Sequence, residues 1–123
     1  MSPTGHIVIF EPDDLIRELL RRWLDEAGYR AAVVVREDEP LTVRPMLVIA
    51  DISRPHSADT TIRTLHATYS APILALSTRL RRGLRASTDA AQKLGVCGLL
   101  PKPFSRQELV AAVEEATSSP DVK

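Results

Sequence analysis

Two hydrophobic periods alternate along the chain. Short apolar runs at His6–Phe10, Ala31–Val35, Met46–Ala50, Pro72–Leu76 and Val96–Leu100 are bounded by Pro, Gly, Asp or Arg, as strands buried on both faces should be. Between the first two runs, Leu15, Ile16, Leu19, Leu20, Trp23, Leu24 and Ala27 recur at spacings of one, three and four and form one apolar stripe of a helix. Pro12 suits a first helical position, Asp13, Asp14 and Glu18 favour the positive end of the helix dipole, and Gly28 offers a stop. Near the C-terminus, Ser105 and Glu108 make a capping box ahead of Leu109, Val110 and Val113. Further helices are predicted around Thr60–Tyr69 and around Leu84–Leu94, the latter closed by Gly95. Arg36–Pro45 contains two prolines and little periodicity, so the helix expected there by alternation is short or irregular.

Strands that alternate with helices imply a doubly wound α/β domain, in which a five-stranded parallel sheet is covered on both faces and its crossovers are right-handed. The 123 residues, 44% of them hydrophobic, suffice for one core and one domain. Its core is expected over residues 5–117, with a disordered tail over 118–123 and no output unit after Thr117. Sixteen basic and sixteen acidic side chains cancel, so no global field recommends nucleic acid or an anionic membrane, and electrostatic recognition must be local. The single cysteine, Cys97, excludes an intramolecular disulfide. No stretch reads as a signal peptide or a bilayer span, and a cytoplasmic protein is expected.

In open parallel sheets, reactive groups gather beyond the carboxyl ends of the strands. Those ends carry Glu11 with Asp13 and Asp14 nearby, Asp51, the hydroxyl pair Ser77 and Thr78, and Lys102 between two prolines. Carboxylates facing one lysine and a hydroxyl can bind a divalent cation through oxygen and stabilise a phosphoryl group.

Four strings lie in order on these strand ends: Ile-Val-Ile-Phe-Glu11-Pro-Asp-Asp-Leu-Ile-Arg17, Leu-Val-Ile-Ala-Asp51-Ile-Ser-Arg-Pro55, Pro-Ile-Leu-Ala-Leu-Ser77-Thr, and Leu-Gly-Val-Cys-Gly-Leu-Leu-Pro-Lys102-Pro103-Phe. Together they resemble the landmarks of response-regulator receiver domains in two-component signalling, over nearly the whole chain. The resemblance implies the flavodoxin-like strand order 2-1-3-4-5, which general rules for doubly wound folds already associate with receivers. It further implies that Asp51 is a phosphoacceptor, a carboxylate nucleophile supplied by a histidine kinase, a phosphotransfer protein or a small acyl phosphate. By the same resemblance Lys102 pairs with the phosphoryl oxygens beside a cis-proline at Pro103, and Ser77 is the hydroxyl that follows the phosphoryl group. The metal ligands it implies are Glu11, Asp51 and the backbone carbonyl of Ser53, with Asp13 a further candidate through water. The function implied is a phosphorelay receiver that signals through a conformational switch and is not an enzyme.

Several positions depart from the family pattern. A pair of adjacent acids ordinarily ends the first strand; here the pair's positions hold Glu11 and Pro12, and proline has no side-chain oxygen. Magnesium demands near-ideal octahedral geometry, so its binding should be weak. Leu99 stands where an inward-turning aromatic is usual, Thr78 stands where a smaller side chain is preferred, and the loop after Asp51 reads His56-Ser-Ala-Asp59 without the usual glycines. These changes favour an alternative, a pseudo-receiver that binds its partner without phosphorylation. An acidic downstream partner would suit Arg79–Arg85, with four arginines in seven residues; the face around Leu99 and the last helix is a second candidate surface, and a dimer is compatible with either. An aspartyl-nucleophile phosphatase would need an acid two residues after Asp51, where Ser53 stands.

Overall fold

In a computed structural model, residues 5–54, 56–78, 91 and 94–117 are described. Five strands, β1 (His6–Phe10), β2 (Arg30–Val33), β3 (Leu47–Asp51), β4 (Ile73–Ser77) and β5 (Gly98–Pro101), form one sheet in the order β2-β1-β3-β4-β5. All four pairings are parallel. Three helices among the described residues, α1 (Asp14–Glu26), α2 (Ala58–Tyr69) and α3 (Arg106–Thr117), connect or follow the strands.

Strand periodicity sorts the core into two layers. Ile7, Ile9, Leu47, Ile49, Leu74 and Leu76 point to the face covered by Leu20 and Leu24 of α1 and Leu109 and Val113 of α3. The intervening Val8, Val48, Ala50, Ile73 and Ala75 point to the opposite face, against Ile62, Leu65 and Tyr69 of α2. A one-residue period-two alternation thus supplies both faces from the same strands. Trp23 and Phe104 meet edge to face at 6.3 Å, and Arg106 reaches Glu26 at 3.1 Å. Together they fasten α1 to the start of α3, just beyond Lys102.

The five expected strands and the helices expected after Pro12, around Thr60–Tyr69 and after Ser105 are present with small shifts. β3 and β4 each begin and end one residue later than the apolar runs suggest. Helix α1 starts after Pro12: Asp13 is the N-cap, its carboxylate accepting from the amides of Leu15 and Ile16, so Pro12 precedes the helix instead of opening it. Gly28 then leaves the helix with φ 98°. At α3 the capping box is complete, with Ser105 N–H on Glu108 Oε1 at 2.8 Å and Glu108 N–H on Ser105 Oγ at 3.0 Å. Residues 34–46 contain no helix. Side chains hold them instead: Thr61 donates to Glu37 at 2.9 Å, the Tyr69 hydroxyl donates to the Glu39 carbonyl, and Leu41 packs on the core. The helix predicted around Leu84–Leu94 falls almost wholly outside the described residues, as do Pro55, Arg79–Arg85 and the tail at 118–123.

Leu24 is fully buried between α1 and the sheet. Truncation to alanine removes its contacts and leaves a cavity, so Leu24→Ala should lower the unfolding free energy by about 3 kcal/mol in urea denaturation, with the native fold retained.

Candidate functional site

Four parallel strands deliver the site. β1 ends at Phe10 and passes the chain to Glu11; β3, directly beside it, ends on Asp51; β4 ends on Ser77, one residue past Leu76, the strand partner of Asp51. β5 ends at Pro101, the partner of Ser77, and Lys102 follows with its N–H on the Ser77 carbonyl at 2.9 Å. The Lys102–Pro103 peptide is cis.

The long side chain of Lys102 crosses the end of β4 to reach both carboxylates. Its Nζ lies 2.9 Å from Asp51 Oδ1 and 2.8 Å from Glu11 Oε1. The contact to Asp51 is a hydrogen bond. Toward Glu11 the pair is held by charge without hydrogen-bond alignment, and Oε1 is a buried oxygen with no hydrogen-bond partner. The other Glu11 oxygen accepts the Asp13 amide at 3.0 Å. Glu11 is 3% exposed and the Lys102 side chain 7%, so each charge depends on the other. Burial opposes the Lys102 charge, but the close contacts and Coulombic attraction of Glu11 and Asp51 outweigh it and hold the ammonium above the ordinary lysine value of 10.5.

Ser53 enters the site by its side chain. Its hydroxyl donates to Asp51 Oδ1 at 2.6 Å and accepts the Thr78 amide at 3.1 Å. Oδ1 of Asp51 therefore receives both Ser53 and Lys102. Sequence reasoning assigned Ser53 only a backbone carbonyl. The signal for the hydroxyl was the period of two, which returns residue 53 to the side of the chain that Asp51 occupies if the extended course continues.

An open cavity of about 430 Å³ is lined by Glu11, Pro12, Asp13, Ile16, Asp51, Ser53, Thr78, Lys102 and Pro103. Asp13 borders it, with its Oδ1 accepting from the α1 amides of Leu15 and Ile16. Pro12 lines the cavity as a hydrocarbon wall. Among the described residues no group of three or more His, Cys, Asp or Glu side chains is placed to hold a metal ion. Glu11 Oε1, which is ion-paired but accepts no hydrogen bond, and the Asp51 carboxylate suit a hard cation in kind, though Lys102 already stands between them. Leu99 is half-buried and packs on the α2 side of the core, while His56 is exposed in its loop. Among the described residues, no helix is long and apolar enough to cross a membrane.

Comparison with known proteins points one way. No family model matches the sequence. The chain is 27% identical over 111 residues to the transcriptional regulatory protein CpxR of Klebsiella pneumoniae, a match that covers 87% of this chain and 47% of that relative. The chain thus spans about half the length of that relative. A response regulator from Thermotoga maritima superposes with a TM-score of 0.78 at 18% identity, covering 95% of this chain and all of the other. A putative response regulator from Chloroflexus aurantiacus gives 0.71 at 26% identity, covering 94% and 99%. The receiver domain of the sensor histidine kinase PA1611 from Pseudomonas aeruginosa, a structure with magnesium coordinated in its active-site cleft, gives 0.72 at 21% identity, covering 95% and 100%.

Replacing Lys102 by methionine leaves Glu11 and Asp51 facing each other without a counter-charge. Because the cavity admits water, the loss falls near the lower end for a broken buried pair, about 2–3 kcal/mol at pH 7. The raised value of Lys102 fixes the sign of the pH dependence. Its stabilisation is fully present below 10.5 and is lost as pH rises through the higher folded-state value. The difference in urea stability between parent and Lys102→Met should therefore be constant from pH 7 to 9 and shrink above 10.5.

Proposed function

We propose that this receiver domain of a two-component response regulator accepts a phosphoryl group on Asp51 and transmits the change to the loop that leaves β4. The observation that carries the reading is the meeting of Asp51, Glu11 and Lys102 in direct ionic contact at the carboxyl ends of β1, β3 and β5, the place where a doubly wound sheet gathers its chemistry. With Asp51 Oδ1 accepting from Ser53 and Lys102, attack falls to Oδ2. Its lone pair forms the O–P bond as the bond from phosphorus to the donor's imidazole nitrogen or acyl oxygen breaks, and the electron pair leaves with the donor atom. Lys102 then neutralises a phosphoryl oxygen, and the hydroxyl of Ser77, the last residue of β4, follows it. Magnesium, where bound, would be held by Glu11, Asp51 and the Ser53 carbonyl, and supplies further charge neutralisation at the phosphoryl group. The donor is a histidine kinase, a phosphotransfer protein or a small acyl phosphate in the cytoplasm. The downstream partner docks through Arg79–Arg85 or through the face around Leu99 and α3.

One observation favours a second reading, a phosphate-independent interaction module. Pro12 presents hydrocarbon to the cavity at the position of the second acid, and one oxygen of Asp13 is engaged in the helix cap. A site with one carboxylate fewer, already bridged by lysine, has less need of a metal and less capacity to hold one.

The two readings separate by intact-mass spectrometry after incubation with acetyl phosphate and magnesium. Gain of one phosphoryl group by the parent and none by Asp51→Asn supports the first; a folded parent that gains none at high magnesium supports the second. Restoring the missing acid gives a second prediction: Pro12→Asp should tighten magnesium binding about tenfold or more in calorimetric titration, through the added ligand charge. An unchanged isotherm would count against placing Glu11 and Pro12 at the acidic pair.

A further inference from the structure

We propose that the Ser53 hydroxyl is a latch that couples the state of Asp51 to the backbone at Thr78, the first residue beyond β4. Its signalling meaning rests on the reading of Asp51 as phosphoacceptor, whereas the coupling itself is a property of the unmodified chain. Two hydrogen bonds in series define it. Ser53 Oγ–H donates to Asp51 Oδ1 at 2.6 Å, and the same oxygen accepts Thr78 N–H at 3.1 Å.

The series has a direction. A hydroxyl that donates to a carboxylate is polarised, so its oxygen becomes a better acceptor, and the Thr78 amide is held more tightly than a free serine would hold it. The short first bond is charge-assisted and fixes the rotor of Ser53. Thr78 belongs to no ladder beyond Ser77, where β4 ends, and its side of the chain is exposed. Ser53 is thus a tie across the sheet end between the segments that follow β3 and β4, which are 25 residues apart in sequence.

Phosphorylation at Oδ2 converts Oδ1 from a shared carboxylate oxygen into the carbonyl oxygen of an acyl phosphate, a weaker acceptor. The dianionic phosphoryl oxygens are stronger acceptors than that carbonyl and draw the Ser53 proton away. The rotor then turns, and Thr78 N–H loses its fixed partner. A position that carries Leu99 has no aromatic ring to turn, and the Ser53 latch supplies a shorter path from the acceptor to the β4 loop. Ser53 is a positioning residue in this scheme and forms no bond to phosphorus.

Amide hydrogen exchange at Thr78, followed by NMR on the unphosphorylated full chain, tests the latch whether or not Asp51 ever accepts phosphate. Ser53→Ala should speed exchange at Thr78 about tenfold or more, while Ser53→Thr, which keeps the hydroxyl, should restore protection to within about twofold of the parent. Asp51→Ala should also speed exchange in the parent but add nothing once Ser53 is alanine. Thr78 exchange unchanged in Ser53→Ala would overturn the proposal. So would an Asp51→Ala effect of equal size with and without Ser53, because the carboxylate would then act on Thr78 by another route. Failure of phosphorylation in the mass measurement with the exchange pattern intact would instead sink only the functional reading of Asp51.

Discussion

The ammonium of Lys102 between Glu11 and Asp51 is the contact on which the rest of the site depends. A buried carboxylate oxygen without a hydrogen bond, as at Glu11, is costly unless a charge stands against it. The strand order makes that charge available. β1 and β3 are neighbours, so Glu11 and Asp51 emerge side by side, whereas Lys102 follows β5 and must cross the end of β4 to reach them. Few side chains other than lysine and arginine have that length, and the Lys102 amide bonded to the Ser77 carbonyl sets the starting point of the reach. Any slip of β5 against β4 would withdraw the ammonium, so charge balance at the site and register in the sheet support one another.

Much of this was legible in the residues because the relevant signals are local. The strands announced themselves as apolar runs bounded by Pro, Gly, Asp or Arg, and the α3 capping box needs only Ser105 and Glu108 three positions apart. Asp51 and Lys102 were marked by their place just past apolar runs. The features that escaped depend on which of several possible partners a group finds in the folded chain. Asp13 and Pro12 compete for the start of α1, and the outcome turned on the Asp13 carboxylate finding the amides of Leu15 and Ile16. β2 stops at Val33 because the chain then leaves the sheet: Val34 N–H still reaches Ile9, but Val35 N–H turns to the Glu39 carboxylate. The Ser53 hydroxyl was overlooked for a similar reason. One partner is two residues away and the other is 25 residues away, and only the folded sheet brings the two together.

The segment at 34–46 follows the same logic in reverse. Two prolines deny it a helix; a turn bond, Glu39 N–H on the Arg36 carbonyl at 3.3 Å, forms within it, and side chains add to it. Thr61, Tyr69 and Glu39 each supply a bond there, and α2 is the element most engaged. A loop fastened to α2 on the face of the sheet opposite α1 and α3 leaves the site's mouth to be shaped by Pro12, Asp13, Thr78 and Pro103.

Under the proposed assignment of Glu11 and Pro12 to an acidic pair, the charge at that mouth bears on more than metal affinity. Glu11 and Asp51 contribute two formal negative charges and Lys102 one positive, which leaves a residue of one. A second acid at position 12 would leave two, a balance that a divalent cation matches. With Pro12 the drive to bind such a cation is weaker, and the ammonium competes for the same two oxygens. Lysine and the Ser53 hydroxyl then carry a larger share of the control over Asp51. Both converge on Oδ1, so one Asp51 oxygen is engaged and tied through Ser53 to Thr78, and Oδ2 is left for the proposed phosphoryl transfer. Under the proposed assignment, an evolutionary step that removed a metal ligand would not by itself disconnect Asp51 from the β4 loop, because the connecting bonds run through serine.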